Sequence, residues 1–202
     1  MEVEVKLRLP SADAHGRIAT LLADLRKETN MQENVFFDGT KGELSSKRAV
    51  LRLRFVNDNA KCEVTVKSKA VVANGISQAQ EENDQIDPAL GRACVIDPNR
   101  LTTTDCALLN KTVEAFQCKE FTCLGGFKNI RTVFEWEGLT LELDETQYDF
   151  GTFYELECES TEPEVAREKI EGFLEANGIA YSYSTETKFA IFIQSKMKKS
   201  RQ

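Results

Sequence analysis

The chain has 202 residues, with 26 Lys+Arg against 33 Asp+Glu and a formal net charge of −7 at pH 7. Hydrophobic residues make up 41% and charged residues 29%, a globular composition with no run near the ~18 apolar residues of a membrane span. The acidic balance argues against a nucleic-acid partner, and the length suits one domain over 1–202.

The N-terminal residues Met1 to Lys6 hold early acids and no apolar signal core, so a cytoplasmic protein with no membrane partner is expected. Glu2 to Leu9 alternates strictly, with Glu2, Glu4, Lys6 and Arg8 on one strand face and Val3, Val5, Leu7 and Leu9 on the other. A helix is predicted over Ala12–Glu28, capped by Ser11, with Ile18, Leu21, Leu22 and Leu25 as its apolar stripe. Val35–Asp38 reads as a short strand. Val50–Val56 and Lys61–Lys69 flank the turn Asn57-Asp58-Asn59 and read as a hairpin, followed by a weaker strand over Ile76–Asp84.

Pro98–Phe116 is predicted helical. Lys128–Trp136 and Leu139–Glu145 surround Glu137-Gly138 as a second hairpin, and Tyr148–Gly151 turns into Thr152–Glu159. A helix over Glu162–Asn177 has Thr161 and Glu164 as a capping box and Gly178 just past its end, and Thr185–Lys196 reads as a last helix. The basic tail Lys196 to Arg201 reads as a solvated end. About eight strands, mostly neighbours in sequence, predict an α+β fold with an antiparallel sheet large enough to curl or close, its helices clad on the apolar face.

Residue scarcity narrows the chemistry. A single histidine, His15, excludes HExxH and multi-His metal sites, and its place early in a helix reads as a solvated surface position. The six cysteines form no CxxC pair and read as free thiols. Trp136 falls on the apolar parity of its strand, and Gly39-Thr40-Lys41-Gly42 reads as a turn.

Strand parity puts a series of charges on the face away from the helices: Glu2, Glu4, Lys6, Arg8, Arg52, Arg54, Glu63, Lys67, Lys69, Arg131, Glu135, Glu142, Asp144, Glu155, Glu157 and Glu159, with Thr65 among them. An ordinary half-exposed sheet is the plain reading. If the sheet closes, however, these groups line a tunnel, where charge is costly unless paired, hydrated or bound to ions. Basic and carboxylate sectors in one lumen suit a polyanion bridged to a divalent metal, with Arg as a bidentate fork and Lys as a point charge. No GxxxxGK[ST] loop is present to hold phosphate in another way.

Glu2-Val3-Glu4-Val5-Lys6 resembles the ExExK signature of the CYTH superfamily, the triphosphate tunnel metalloenzymes. Leu51-Arg52-Leu53-Arg54, Glu63 to Lys67, Arg131, Asp144, Glu155-Leu156-Glu157 and Lys188 follow in family order along nearly the whole chain. The short chain looks most like the small plant members, which resemble inorganic tripolyphosphatases. The resemblance implies a closed eight-stranded antiparallel β-barrel tunnel with helices outside and a C-terminal plug helix.

The same resemblance implies roles. Glu2, Glu4, Glu63, Asp144, Glu155 and Glu157 would hold one or two Mg²⁺ or Mn²⁺ ions, and Lys6, Arg52, Arg54, Lys67, Arg131 and Lys188 would bind phosphate. Glu2, Glu4, Lys6, Glu63 and Lys188 would be catalytic, with Glu63 as a water-positioning acid. Glu82, Glu142 and Lys69 are additional candidates; Glu82 stands for an R-x-E-like strand that here reads Gln78-Ala79-Gln80-Glu81-Glu82. The implied reaction is metal-dependent hydrolysis of inorganic tripolyphosphate by a monomer. The alternatives are a thiamine, nucleoside or RNA 5′-triphosphatase, an adenylate cyclase, a non-catalytic polyphosphate-binding module, or a plain scaffold.

Overall fold

A computed structural model describes residues 1–199; Ser200, Arg201 and Gln202, and with them the end of the basic tail, lie outside the described residues. In chain order the elements are β1 (Glu2–Leu9), α1 (Ala12–Leu21), β2 (Arg26–Gly39), β3 (Ala49–Val56), β4 (Lys61–Ala73) and β5 (Ile76–Ile86). There follow α2 (Pro88–Ile96), α3 (Ala107–Phe116), β6 (Phe121–Trp136), β7 (Leu139–Tyr148), β8 (Gly151–Glu159), α4 (Pro163–Ala176), β9 (Ser182–Tyr183) and α5 (Lys188–Lys199). The hydrogen-bonded strand order is β5-β4-β3-β2-β6-β7-β8-β1-β9, and β5 also pairs with β1. That last pairing closes the ladder of eight long strands as an antiparallel β-barrel of α+β class, with five helices packed around it.

The chain divides into two compact units: Met1–Asn30, Val71–Gln78 and Asn129–Gln202 form the first, Met31–Ala70 and Ala79–Lys128 the second. In the first, alternate residues Val5, Leu7, Leu141, Leu143 and Leu156 meet Ile18 of α1, Leu22 at its C-cap, and Ile170 and Leu174 of α4. Trp136 packs at the edge of this cluster, with its ring 5.2 Å from that of Phe173. In the second, Leu51, Leu53, Phe55 and Val64 meet Cys94 of α2, Leu109 of α3 and Leu101 from the 3-10 turn between these helices. Covering these apolar strand faces leaves the opposite faces to the polar residues between them.

Turn chemistry follows the local sequence. Asn57, Asp58 and Asn59 all have positive φ, as do Glu137 and Gly138, so both hairpins reverse through left-handed backbone. Gly126 on β6 has no alternative: a Cβ there would lie 1.7 Å from the Asn34 carbonyl oxygen. All six cysteines are free, and burial pushes the Cys62 thiol up to about 12, as befits a packed and unreactive group.

Several boundaries differ from expectation. The helix read over Ala12–Glu28 ends at Leu21, and Arg26 already begins β2, which runs for 14 residues instead of the four of Val35–Asp38. The buried stripe is Ala14, Ile18 and the C-cap Leu22, spaced i, i+4, i+8, while Leu21 lies off that stripe and Leu25 falls in a 3-10 turn past the helix, and both are exposed. Pro98–Phe116 splits into a 3-10 turn over Pro98–Thr102 and α3, and α2 precedes it, started by Asp87 as N-cap and Pro88 at the first helical position. The Thr161 capping box does not form: Pro163 opens α4, which makes Glu162 the N-cap. Gly178 has φ +58 and ends α4 as predicted.

His15 is half-buried and its Nε2 is buried without a hydrogen-bond partner, so the solvated reading is corrected. Its ring lies 5.2 Å from that of Tyr154. Burial lowers its pKa, against the raising influence of Glu145 and Asp144. An imidazole titrating lower in the folded than in the unfolded chain subtracts stability as pH falls through the unfolded value. Wild type should therefore lose stability relative to His15→Gln between about pH 7.5 and 5.5 in urea unfolding. Parallel pH profiles for the two proteins would place the ring in water.

Candidate active site

Within the first unit, antiparallel register assembles the charges. Lys6 on β1 faces Glu157 on β8, Arg8 faces Glu155, and Glu4 faces Glu159. On the other side of β8, Glu142 faces Glu157 and Asp144 faces Glu155 across β7. Two acid–acid pairs side by side would destabilise the sheet unless cations stood between them. Arg131 from β6 and Lys188 from the start of α5 supply those cations.

Arg131 grips Asp144 with two bonds, Nε to Oδ1 at 2.8 Å and Nη2 to Oδ2 at 2.6 Å, and Nη2 also reaches Glu157 Oε2 at 2.7 Å. Its Nη1 pairs with Glu142. Lys188 Nζ lies 2.8 Å from Asp144 Oδ2 and 3.2 Å from Glu155 Oε2, and it pairs with Glu157 as well. Lys6 pairs with Glu157 and sits 3.2 Å from Glu4. Ser184, just past β9, donates to Glu155 Oε1 at 2.8 Å. Glu2 lies on the face of β1 that carries Glu4 and Lys6.

Asp144, Glu155 and Glu157 are all buried, with 0–2% of each exposed. Burial alone would raise the Glu157 carboxyl, yet Lys188, Lys6 and Arg131 hold it well below the usual carboxylate range. Asp144 is lowered in the same way by Arg131 and Lys188. Burial also works against the charge on Lys6, Lys188 and Arg131, and their carboxylate partners outweigh it, so all three stay protonated. Glu142 behaves differently. Burial raises it, Arg131 pulls it down, and Glu157, Asp144 and Glu4 push it up again, with a net upward shift.

The charge balance of this face bears on whether the site fits a metal ion: Glu2, Glu4, Glu142, Asp144, Glu155 and Glu157 outnumber Lys6, Arg8, Arg131 and Lys188. An all-carboxylate oxygen set with surplus negative charge fits a hard divalent cation. Among the described residues no three Asp, Glu, His or Cys side chains converge closely enough to hold a metal ion as they stand, because cationic side chains stand between the buried acids. A cavity of about 470 Å³ beside Glu142, lined also by Thr140, Glu159, Ser160 and Thr161, leaves this carboxylate accessible.

Within the second unit, Arg52 faces Thr65 across β3 and β4, and Arg54 faces Glu63 on one side and Asn34 of β2 on the other. Arg52 Nη2 donates to Thr65 Oγ1 at 2.9 Å, and Arg54 Nε donates to Asn34 Oδ1 at 2.9 Å. Thr65 Oγ1 donates to Asn83 Oδ1 at 2.8 Å, and Asn83 Nδ2 donates to Glu81 Oε1 at 2.9 Å. Lys67 pairs with Glu81 at 2.6 Å. Glu63 is bridged by Lys61 at 2.5 Å; burial would raise its carboxyl, and Lys61, Arg54 and Arg52 bring it below the ordinary value.

Two sequence candidates fall elsewhere. Glu82 turns to the helix side, where it is exposed and 2.5 Å from Lys111 of α3, and Glu81 takes the place expected of it. The misreading follows from Gln78 to Glu82, which lacks an aliphatic alternation; buried Ser77 and Ala79 are the only parity marks. Lys69 has φ +55, which breaks the alternation of β4 and leaves its side chain exposed. Asn34, Asn83, Asn129, Thr146 and Ser184 were missed because neutral polar residues carry no charge pattern to follow.

The CYTH domain model matches residues 1–191. The chain belongs to the CYTH family. A solved structure at 42% identity, TM-score 0.94, covering 96% of each chain, is that of HpAC1 from Hippeastrum, an adenylyl cyclase candidate described as having a dominant triphosphatase activity. The fold is shared with an adenylate cyclase candidate from Bacillus halodurans (20% identity, 95% and 97% covered, TM-score 0.73). It is shared also with PH1819 from Pyrococcus horikoshii (18% identity, 95% and 99% covered, TM-score 0.61). Among curated proteins, none matches the chain significantly. No helix among the described residues of this CYTH protein is long and apolar enough to cross a membrane.

Removing one acid from the buried network leaves three cations short of a partner. Glu157→Gln should cost about 3–5 kcal/mol in chemical denaturation, whereas Glu82→Gln, which loses only a surface pair, should stay within about 0.5 kcal/mol of wild type. Equal effects would contradict the placement of the two residues.

Proposed function

We propose that the protein is a divalent-metal-dependent triphosphatase that hydrolyses inorganic tripolyphosphate to pyrophosphate and phosphate, acting as a monomer over 1–202. What supports this most is the network in which Lys6, Arg131 and Lys188 meet buried Asp144, Glu155 and Glu157. A plain scaffold has no need of it, since apolar residues would stabilise those positions as well or better. The triphosphatase activity of the Hippeastrum relative points the same way.

Glu2 and Glu4 are the first ligands for Mg²⁺ or Mn²⁺, with Glu63, Glu142, Asp144, Glu155 and Glu157 completing the acidic set for one or two ions. When bound, the ion neutralises phosphate charge and lowers the pKa of a ligated water. Lys6, Arg131 and Lys188 bind phosphoryl oxygens, as do Arg52, Arg54 and Lys67, and hold the terminal phosphorus in line for attack. Glu63 orients the attacking water and accepts its proton. Lys6 and Lys188 then stabilise the charge that develops on the departing pyrophosphate. No covalent nucleophile is required, because positioning and electrostatics carry phosphoryl transfer.

Phosphate release should be measured from tripolyphosphate, ATP and thiamine triphosphate, with Mg²⁺ and then with EDTA. The expected result is fastest release from tripolyphosphate, abolished by EDTA. Glu4→Ala should lower turnover about 10- to 100-fold, and Arg52→Ala should weaken binding and turnover together. Faster release from ATP or thiamine triphosphate would reassign the substrate, and release insensitive to EDTA would remove the metal.

A further inference from the structure

Two buried neutral residues beside Asp144 have no role in the reaction as drawn. Asn129 on β6 is 2% exposed and Thr146 on β7 is 1% exposed. Strand periodicity puts Asn129 on the face of Arg131 and Thr146 on the face of Asp144, so the four side chains form one block. Thr146 Oγ1 donates to Asn129 Oδ1 at 2.9 Å, and Asn129 Nδ2 donates to Asp144 Oδ1 at 2.9 Å. With its oxygen engaged by the hydroxyl, the amide directs its nitrogen at the carboxylate.

Each Asp144 oxygen therefore receives two donors: Oδ1 from Arg131 Nε and Asn129, Oδ2 from Arg131 Nη2 and Lys188. Four donors on one buried carboxylate fix its plane. An amide suits this position because it adds a donor without adding charge. A carboxylate there would repel Asp144, and a further cation would cancel the negative surplus that suits a metal ion.

We infer that Asn129, oriented by Thr146, is a positioning residue for the reaction. It holds Asp144 in the rotation that grips Arg131 with both oxygens while receiving Lys188. The inference rests on the phosphate-binding roles proposed above for Arg131 and Lys188. Without the amide donor, Asp144 Oδ1 loses a bond where water does not replace it, and the carboxylate turns about its own axis. Arg131 then loses its two-point hold, and the geometry that acts on the transition state loosens.

Asn129→Leu, Thr146→Val and Thr146→Ser separate this role from a merely structural one. Tripolyphosphate kinetics should be measured per folded molecule, alongside the ¹⁵N signal of the Arg131 Nε–H group. Asn129→Leu should lower kcat about 10- to 100-fold with a smaller change in KM, and should shift or broaden the Arg131 signal. Thr146→Val should do the same to a lesser extent, and Thr146→Ser should restore wild-type values. Wild-type kcat in folded Asn129→Leu and Thr146→Val overturns the inference, and so does an unchanged Arg131 signal. If the wild type hydrolyses no triphosphate, the functional reading fails by itself. The Arg131 signal then still decides, its perturbation upholding the Asn129–Asp144 coupling and its constancy refuting it.

Discussion

Across β7 and β8 the backbone register sets carboxylate against carboxylate, Asp144 opposite Glu155 and Glu142 opposite Glu157. Such pairs repel, and burial sharpens the repulsion by taking water away. The rest of the first unit's charged face answers that constraint. Arg131 spans Glu142, Asp144 and Glu157, Lys188 joins three acids from the start of α5, and Lys6 approaches Glu157 from β1. Even so the acids outnumber the cations, and Glu142, raised by burial first and by Glu157, Asp144 and Glu4 after it, is the carboxyl these cations hold least.

This arrangement explains why the terminal helix and the first strand matter equally to the site. Lys188 is the opening residue of α5, and its own carbonyl accepts a hydrogen bond from Tyr148 at 3.2 Å, so the β7 hairpin end anchors the helix start. Ser184, between β9 and α5, ties Glu155 to the same stretch and bonds through its backbone to the Lys6 carbonyl at 3.1 Å. A change in any of these acids is therefore felt at α5 as well as at the strands.

Much of this was legible in the sequence where charge and aliphatic residues alternate. Glu2 to Leu9, Val50–Val56 and Glu155-Leu156-Glu157 declare their two faces without ambiguity, and the charged face and the helix-clad apolar face follow from them, while closure of the sheet is implied by the family resemblance and not by the alternation. Legibility ended where that contrast fails. Residues 26–34 are polar on both faces, which hid the first half of β2, and Gln78 to Glu82 hid the parity that brings Glu81 to Lys67. The Asp87-Pro88 start of α2 is by contrast a plain helix signal in the sequence. Asn129 and Thr146 belong to a different class: their importance lies in which atom meets Asp144, and only the fold supplies that.

The central claim is that Lys6, Arg131 and Lys188, with the acids around them, form a site for a metal-bound triphosphate. A crystal structure with tripolyphosphate and Mn²⁺, the ion located by its anomalous signal, tests this most directly. Expected are phosphoryl oxygens within hydrogen-bond distance of all three cations and an anomalous peak at the Glu2 and Glu4 carboxylates. Phosphate bound away from Lys6, Arg131 and Lys188, or Mn²⁺ bound away from Glu2 and Glu4, would contradict it.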